Sequence, residues 1–147
     1  MKPVTIYMQR LDKRAELPAQ AYSADAGFDL RALDALEIKP FERVLVPTGL
    51  AMALPDGYAG LVLPRSGMAL KRGLTIANTP GLIDAHYRGE LKVICVNINP
   101  DQVITIEAGE RIAQLVIQEI PAVTIHELDE LDQTDRGAGG FGSSGSA

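Results

Sequence analysis

The sequence predicts an all-β domain, a sandwich or barrel of short strands with one short helix and a flexible C-terminal arm. Three observations point there. Apolar residues recur with a period of two. Pro-, Gly- and Asn-rich turns interrupt these runs every roughly 8–12 residues. The last dozen residues change abruptly to glycine and serine. The chain has 147 residues, 46% of them hydrophobic, and a domain near this size buries about 70% of the surface its unfolded chain exposes.

Taken in order, Leu36 and Ile38 alternate with Glu37 and Lys39, and Leu50, Met52 and Leu54 alternate with small alanines. The run from Leu91 to Ile98 is apolar at both parities, as in a strand buried on both sides. Val103 to Glu107 and Val123 to His126 alternate again. Ile112, Val116 and Ile120 also fit a helical spacing, but the Val and Ile content and the following Pro121 favour a strand. Turns fall at Pro47-Thr48-Gly49, Pro55-Asp56-Gly57, Asn78-Thr79-Pro80-Gly81, Asn99-Pro100-Asp101 and Ala108-Gly109. One segment reads as helix: Ser66 to Lys71, with Ser66 as N-cap and Gly73 as stop. Residues 1–132 form the expected β-rich body, and 133–147 the expected Gly/Ser-rich lid.

The formal charge of −5 argues against stable nucleic-acid binding, which needs a net basic face. Any phosphate chemistry must come from a few local arginines. Cys95 is the one cysteine and lies in an apolar run, so it is expected to be buried filler in a reducing compartment. The N-terminus does not read as a signal peptide, and no apolar run approaches membrane-spanning length. A soluble cytoplasmic protein is the expectation.

Several short stretches can carry chemistry. In LVLPRSGMALKRG, residues 61–73, Arg65 and Ser66 sit at the mouth of the short helix. Unpaired N–H groups, a guanidinium fork and a hydroxyl there form an anion pocket; an ordinary capped helix with a surface arginine is the plainer alternative. NTPGLIDAHYRGELKV, residues 78–93, reads as a hairpin around Leu82 to Tyr87. Asp84 in it is either a turn-former or a general base for water. Tyr87 is either packing or a platform for a ring, and the hairpin backbone can pair with the edge of a base. In SADAGFDLRA, residues 23–32, Gly27 allows close approach. Asp29 faces opposite to Phe28 and Leu30, where it can hold a magnesium hydration shell, an arginine or only solvent. Gln114, among apolar strand residues, either meets a ligand oxygen or faces water. In the tail RGAGGFGSSG, residues 136–145, Arg136, Ser143 and Ser144 are phosphate donors and Phe141 is a stacking surface on a glycine-rich backbone.

Five ordered stretches resemble the five motifs of the trimeric dUTPases: AGFDL at 26–30, PRSG at 64–67, GLIDAHYRGE at 81–90, GERIAQLV at 109–116 and RGAGGFGSSG at 136–145. They span almost the whole chain. His86, where family members often carry Gly, and Arg72, where many carry His, are small departures at positions to which no chemistry is assigned. The resemblance implies a jelly-roll-like β fold and a homotrimer with active sites at subunit interfaces. One subunit would supply the first, second and fourth motifs, a neighbour the third, and the third subunit its tail.

It further implies hydrolysis of dUTP to dUMP and pyrophosphate with Mg²⁺, which supplies dUMP for thymidylate synthesis and keeps uracil out of DNA. Asp84 would polarise the attacking water, and Tyr87 would exclude a 2′-hydroxyl. Asn78 and the backbone of Gly81, Leu82 and Ile83 would read the uracil edge. Arg65, Ser66, Gly67, Lys92 and Gln114 would bind the substrate, chiefly its phosphates, and Asp29 would hold magnesium through water. From the tail, Phe141 and Gly142 would cover uracil while Arg136, Ser143 and Ser144 grip the γ-phosphate. A dCTP deaminase of the same fold, a non-catalytic nucleotide-binding module and a carbohydrate-binding β-sandwich are the alternatives.

Overall fold

The period-two runs become eleven strands because every second side chain can then enter one core while the backbone pairs laterally. The computed structural model describes residues 2–146. In chain order the elements are β1 (Tyr7–Arg10), β2 (Phe28–Arg31), β3 (Leu36–Ile38), β4 (Arg43–Pro47), β5 (Leu50–Ala53), β6 (Tyr58–Leu63), α1 (Ser66–Arg72), β7 (Leu74–Ile76), β8 (Gly81–Ile83), β9 (Lys92–Asn97), β10 (Ile104–Ile106) and β11 (Arg111–Glu119). All strand pairs are antiparallel. They form a four-stranded sheet in the order β2-β11-β6-β8, a three-stranded sheet β4-β9-β7, and the pairs β1-β5 and β10-β3. The architecture is the expected all-β, jelly-roll-like sandwich with one short helix. Among the described residues no helix is long and apolar enough to cross a membrane.

One hydrophobic cluster joins the sheets: Leu30 from β2, Leu115 from β11, Ile38 and Ile106 from β3 and β10, and Val46 and Val93 from β4 and β9 are each buried in it. In β11 the adjacent Ile112 and Ala113 are both buried. A register shift against β2 between Arg111 and Ala113 accounts for this, because a bulge turns two neighbours to the same side. Cys95 is buried as expected, and burial pushes its thiol up to about 12, which leaves it unreactive.

Among the described residues, Asn97, at the end of β9, is the one large polar side chain fully enclosed in this core. Its amide donates to Ile38 O at 2.8 Å and Gln102 O at 2.7 Å, and its oxygen accepts from the backbone N–H (2.8 Å) and side-chain amide (2.9 Å) of Asn99. Asn99 in turn donates to Arg72 O at 2.6 Å and so ties down the last turn of α1. Gly73 closes that helix at φ 66° with its N–H on Ala69 O, as the sequence predicts. A Cβ at Gly73 would also stand 2.8 Å from the Asn99 amide.

Four expectations need correction. Ser66 is the first helical residue, not the cap; extended Arg65 occupies the N-cap position and makes no side-chain capping bond. The 82–87 segment turns but forms no hairpin ladder: β8 pairs with β6, whereas β9 pairs with β4 and β7 in the other sheet. Strand β9 is not equally buried on both faces, since Val93, Cys95 and Asn97 are enclosed while Ile94 and Val96 are half-buried. Val123 to His126 is not a strand, and Ile125 is 90% exposed. Alternation makes a segment competent to pair, but it supplies no partner edge.

Asn97→Ala strips two core carbonyls of their donors and is expected to cost about 2–3 kcal/mol. A urea midpoint equal to that of the parent chain would show that Asn97 does not hold the β9–α1 corner.

Candidate active site

The antiparallel register of β11 puts Gln114 opposite Asp29 on one side and opposite Leu63 on the other. These two polar side chains reach the corner where β6 ends and α1 begins. Gln114 Nε2 donates to Pro64 O at 2.8 Å. Asp29 accepts from Arg65 Nε at 3.0 Å on one carboxylate oxygen and from Arg111 at 3.2 Å on the other. Gly27 makes room for this, since a Cβ there would stand 2.6 Å from Gln114 Oε1. The clamp fixes Arg65, Ser66 and Gly67 at the rim of a cavity of about 570 Å³ that Asp29 and Gln114 also line. The first N–H groups of α1 open toward the same rim, because the helical ladder begins only with Ala69 N–H on Arg65 O. The arrangement suits a chain of phosphates: fixed cations, a hydroxyl and free backbone donors.

A second cavity, of about 480 Å³, lies along β8 and the turn that follows it, and its lining includes Asn78, Gly81, Leu82, Ile83, Asp84, Tyr87 and Lys92. Leu45, Ile76 and Ile94 add an apolar wall. Tyr87 N–H closes the turn on Asp84 O at 3.1 Å, and Tyr87 Oη donates to Glu90 O at 2.9 Å, so the ring lies back over Gly89. Asp84 itself is exposed. An apolar wall, a backbone edge and an accessible carboxylate suit a flat heterocycle with a reacting group beside it.

The structure therefore sorts the sequence-predicted residues into two groups, and the two cavities share no lining residue. Arg136, Phe141, Gly142, Ser143 and Ser144 join neither. The tail bonds to itself, with Arg136 Nε on Gly139 O and Ser143 N–H on Gly140 O, and Phe141 stands fully exposed. Sequence reasoning missed Arg111, the second partner of Asp29, and Lys71, which also lines the phosphate-type cavity. Arg111 becomes visible only through the β11–β2 register, a non-local fact.

Among the described residues no group of three or more His, Cys, Asp or Glu side chains could by itself hold a metal ion. Asp29, its side chain 17% exposed, faces the first cavity, where Asp25 is the other carboxylate. That donor set fits a magnesium ion brought in on phosphate oxygens and keeping most of its water.

The family model for dUTPase matches residues 13–145. The chain belongs to the dUTPase family. It is 51% identical over 144 residues to the deoxyuridine 5′-triphosphate nucleotidohydrolase of Corynebacterium diphtheriae, an alignment covering 98% of this chain and 95% of the relative. Among solved structures it resembles the dUTPase of Staphylococcus bacteriophage 80alpha with dUPNHPP, at a TM-score of 0.90 and 32% identity over 97% of this chain and 99% of that one. It also resembles a mutant dUTPase of phage phi11 of S. aureus, a structure described as revealing the coordination of a structural Mg(II) ion, at a TM-score of 0.80 and 27% identity over 88% and 99%. Membership gives the two cavities one candidate ligand class, a nucleoside triphosphate.

Gly27→Val pushes Gln114 off Pro64 and is expected to weaken pyrophosphate binding about five- to ten-fold. In a Gln114→Ala background the same change should do little more. Calorimetry reads both, and equal losses in the two backgrounds would contradict the clamp.

Proposed function

We propose that this chain hydrolyses dUTP to dUMP and pyrophosphate, in active sites each assembled from more than one copy of the chain. The observation that carries the reading is the pair of complementary cavities that share no lining residue: one suited to phosphates, one to a base with a carboxylate beside it. A homotrimer joins them. In that assembly Asp29, Arg65, Ser66, Gly67 and Gln114 of one copy face Asn78, Asp84, Tyr87 and Lys92 of a neighbour, and residues 133–147 of a third copy close over both.

The chain's residues then divide the work. The backbone of Gly81, Leu82 and Ile83, with Asn78, pairs with the uracil edge. A 5-methyl group would collide with that backbone, and cytosine presents the wrong donor pattern. Tyr87, pinned through its hydroxyl to Glu90 O, lies under the sugar and fills the place of a 2′-hydroxyl. Arg65, Ser66, the first N–H groups of α1 and Gln114 hold the phosphate chain. Lys92 adds positive charge at the rim of the base cavity. Asp84 aligns a water for in-line attack on the α-phosphorus and draws off its proton, while the held pyrophosphate leaves. Arg136, Ser143 and Ser144 grip the γ-phosphate, Phe141 stacks on uracil, and Gly142 lets the backbone bend between them. When bound on the triphosphate beside Asp29, Mg²⁺ supplies charge neutralisation. A reducing, cytoplasmic location belongs to the same proposal, in keeping with the lone thiol of Cys95.

Pyrophosphate release is expected from dUTP and not from dCTP, dTTP or UTP. Asp84→Asn should keep nucleotide affinity but lower kcat roughly 10²- to 10⁴-fold. Ammonia from dCTP would move the chain to the deaminase reading, and near-normal kcat in Asp84→Asn would remove Asp84 as the base.

A further inference from the structure

Asp84 stands in a weakly supported place. It follows directly on β8, which is only three residues long and forms the edge of its sheet, paired on one side with β6. The bonds inside the following turn, Tyr87 N–H to Asp84 O at 3.1 Å and Arg88 to Ala85 O at 2.7 Å, give it shape but do not fasten it to the body. On its outer side an open cleft of about 390 Å³ runs between Asp84 and Ala85, the β5–β6 turn, and Ile120 to Ala122 after β11. The turn has room to shift there.

Two contacts tie the turn to the body. Ala85 packs part-buried on the core. His86 Nε2 meets Asp56 Oδ1 at 2.7 Å, across 30 residues of sequence. Asp56 belongs to the Pro55-Asp56-Gly57 turn at the start of β6, and that turn is itself held, since Gly57 O accepts the Ile120 N–H at 2.7 Å. The pair therefore ties the carboxylate-bearing turn to the β6–β11 ladder. Both side chains are largely exposed, 81% for His86 and 88% for Asp56, so neither has a packing role that would keep it in place.

We propose that His86 and Asp56 are positioning residues for Asp84: their hydrogen bond holds the turn off the cleft and sets where the carboxylate stands. This rests on Asp84 being the group that directs the water. An N–H donor on one side and a carboxylate on the other suffice, so the bridge forms with neutral or protonated imidazole. Because reactant placement enters the chemical step steeply, loosening the turn reduces kcat without touching the uracil edge or the phosphate grip.

The test is steady-state dUTP hydrolysis by His86→Ala, Asp56→Ala, the double variant and the exchanged pair His86→Asp with Asp56→His. Each single change is expected to lower kcat about five-fold with KM within about two-fold, and the double variant should be no worse than either. The exchanged pair should recover about half or more of the lost rate, which a general loss of structure would not allow. Added to Asp84→Asn, His86→Ala should change the residual rate by less than about two-fold. Single variants with parental kcat, a rise in KM alone, losses that multiply in the double variant, or no recovery in the exchanged pair would each overturn the proposal. If Asp84→Asn itself turned over normally, the reading of the site would fail instead, and the two failures are separable.

Discussion

The register of β11 between β2 and β6 is the constraint on which the rest of this molecule depends. Nine residues of one strand serve as the middle partner of two others. That register sets Gln114 level with Asp29 and with the last residue of β6. The Pro64–Arg65 corner is then gripped from two sides, by an amide on a carbonyl and a carboxylate on a guanidinium. A one-residue slip of β11 would turn Gln114 to the opposite face, away from Asp29 and Pro64. The bulge before Ala113 and the buried Leu115 resist such a slip, because they fix which parity faces the core. The placement of Arg65, Ser66 and Gly67 at the cavity rim is thus a by-product of core packing.

The proposed chemistry sits at the other extreme of rigidity. The base cavity borrows a wall from the β4-β9-β7 sheet, but Asp84 hangs beyond a short edge strand and the tail bonds only to itself. Such a division suits an enzyme that must grip a highly charged substrate firmly and then close around it. Charge stays local: the chain is acidic overall, at −5, while at the corner Arg65 and Arg111 share the Asp29 carboxylate and Arg72 pairs with Glu110.

Much of this was legible in the sequence, for physical reasons that also explain the gaps. The alternations at Leu36–Lys39, Leu50–Leu54 and Val103–Glu107 mark strands because each has one face to bury. The Val and Ile of residues 112–120 outweighed a competing helical spacing because β-branched side chains pack well on a pleated surface. Gly73 was readable as a stop because only a left-handed residue ends α1 there. Failures came where partners are distant. Val123 to His126 alternates without an edge to join. The 82–87 turn suggested a ladder, although its flanking strands belong to different sheets. Ser66 looked like a cap because the local signal cannot show that the helix already begins there. In the candidate site, four of the five short motifs marked residues that the fold gathers into two cavities, and the tail motif joins neither. Arg111 and the His86–Asp56 bridge stayed hidden because each depends on contacts across 30 or more residues.

The central claim is that neither cavity suffices alone and that different copies of the chain supply the two halves of each site. Subunit mixing tests it most directly. An inactive Asp84→Asn chain and an inactive Arg65→Ala chain are unfolded together, refolded and assayed on dUTP. If the halves come from different subunits, an equal mixture contains intact pairings and should recover about a quarter of the parental rate per site. If each chain builds its whole site, every site in the mixture carries one of the two lesions and the rate stays at the level of the separate variants, which would contradict the account.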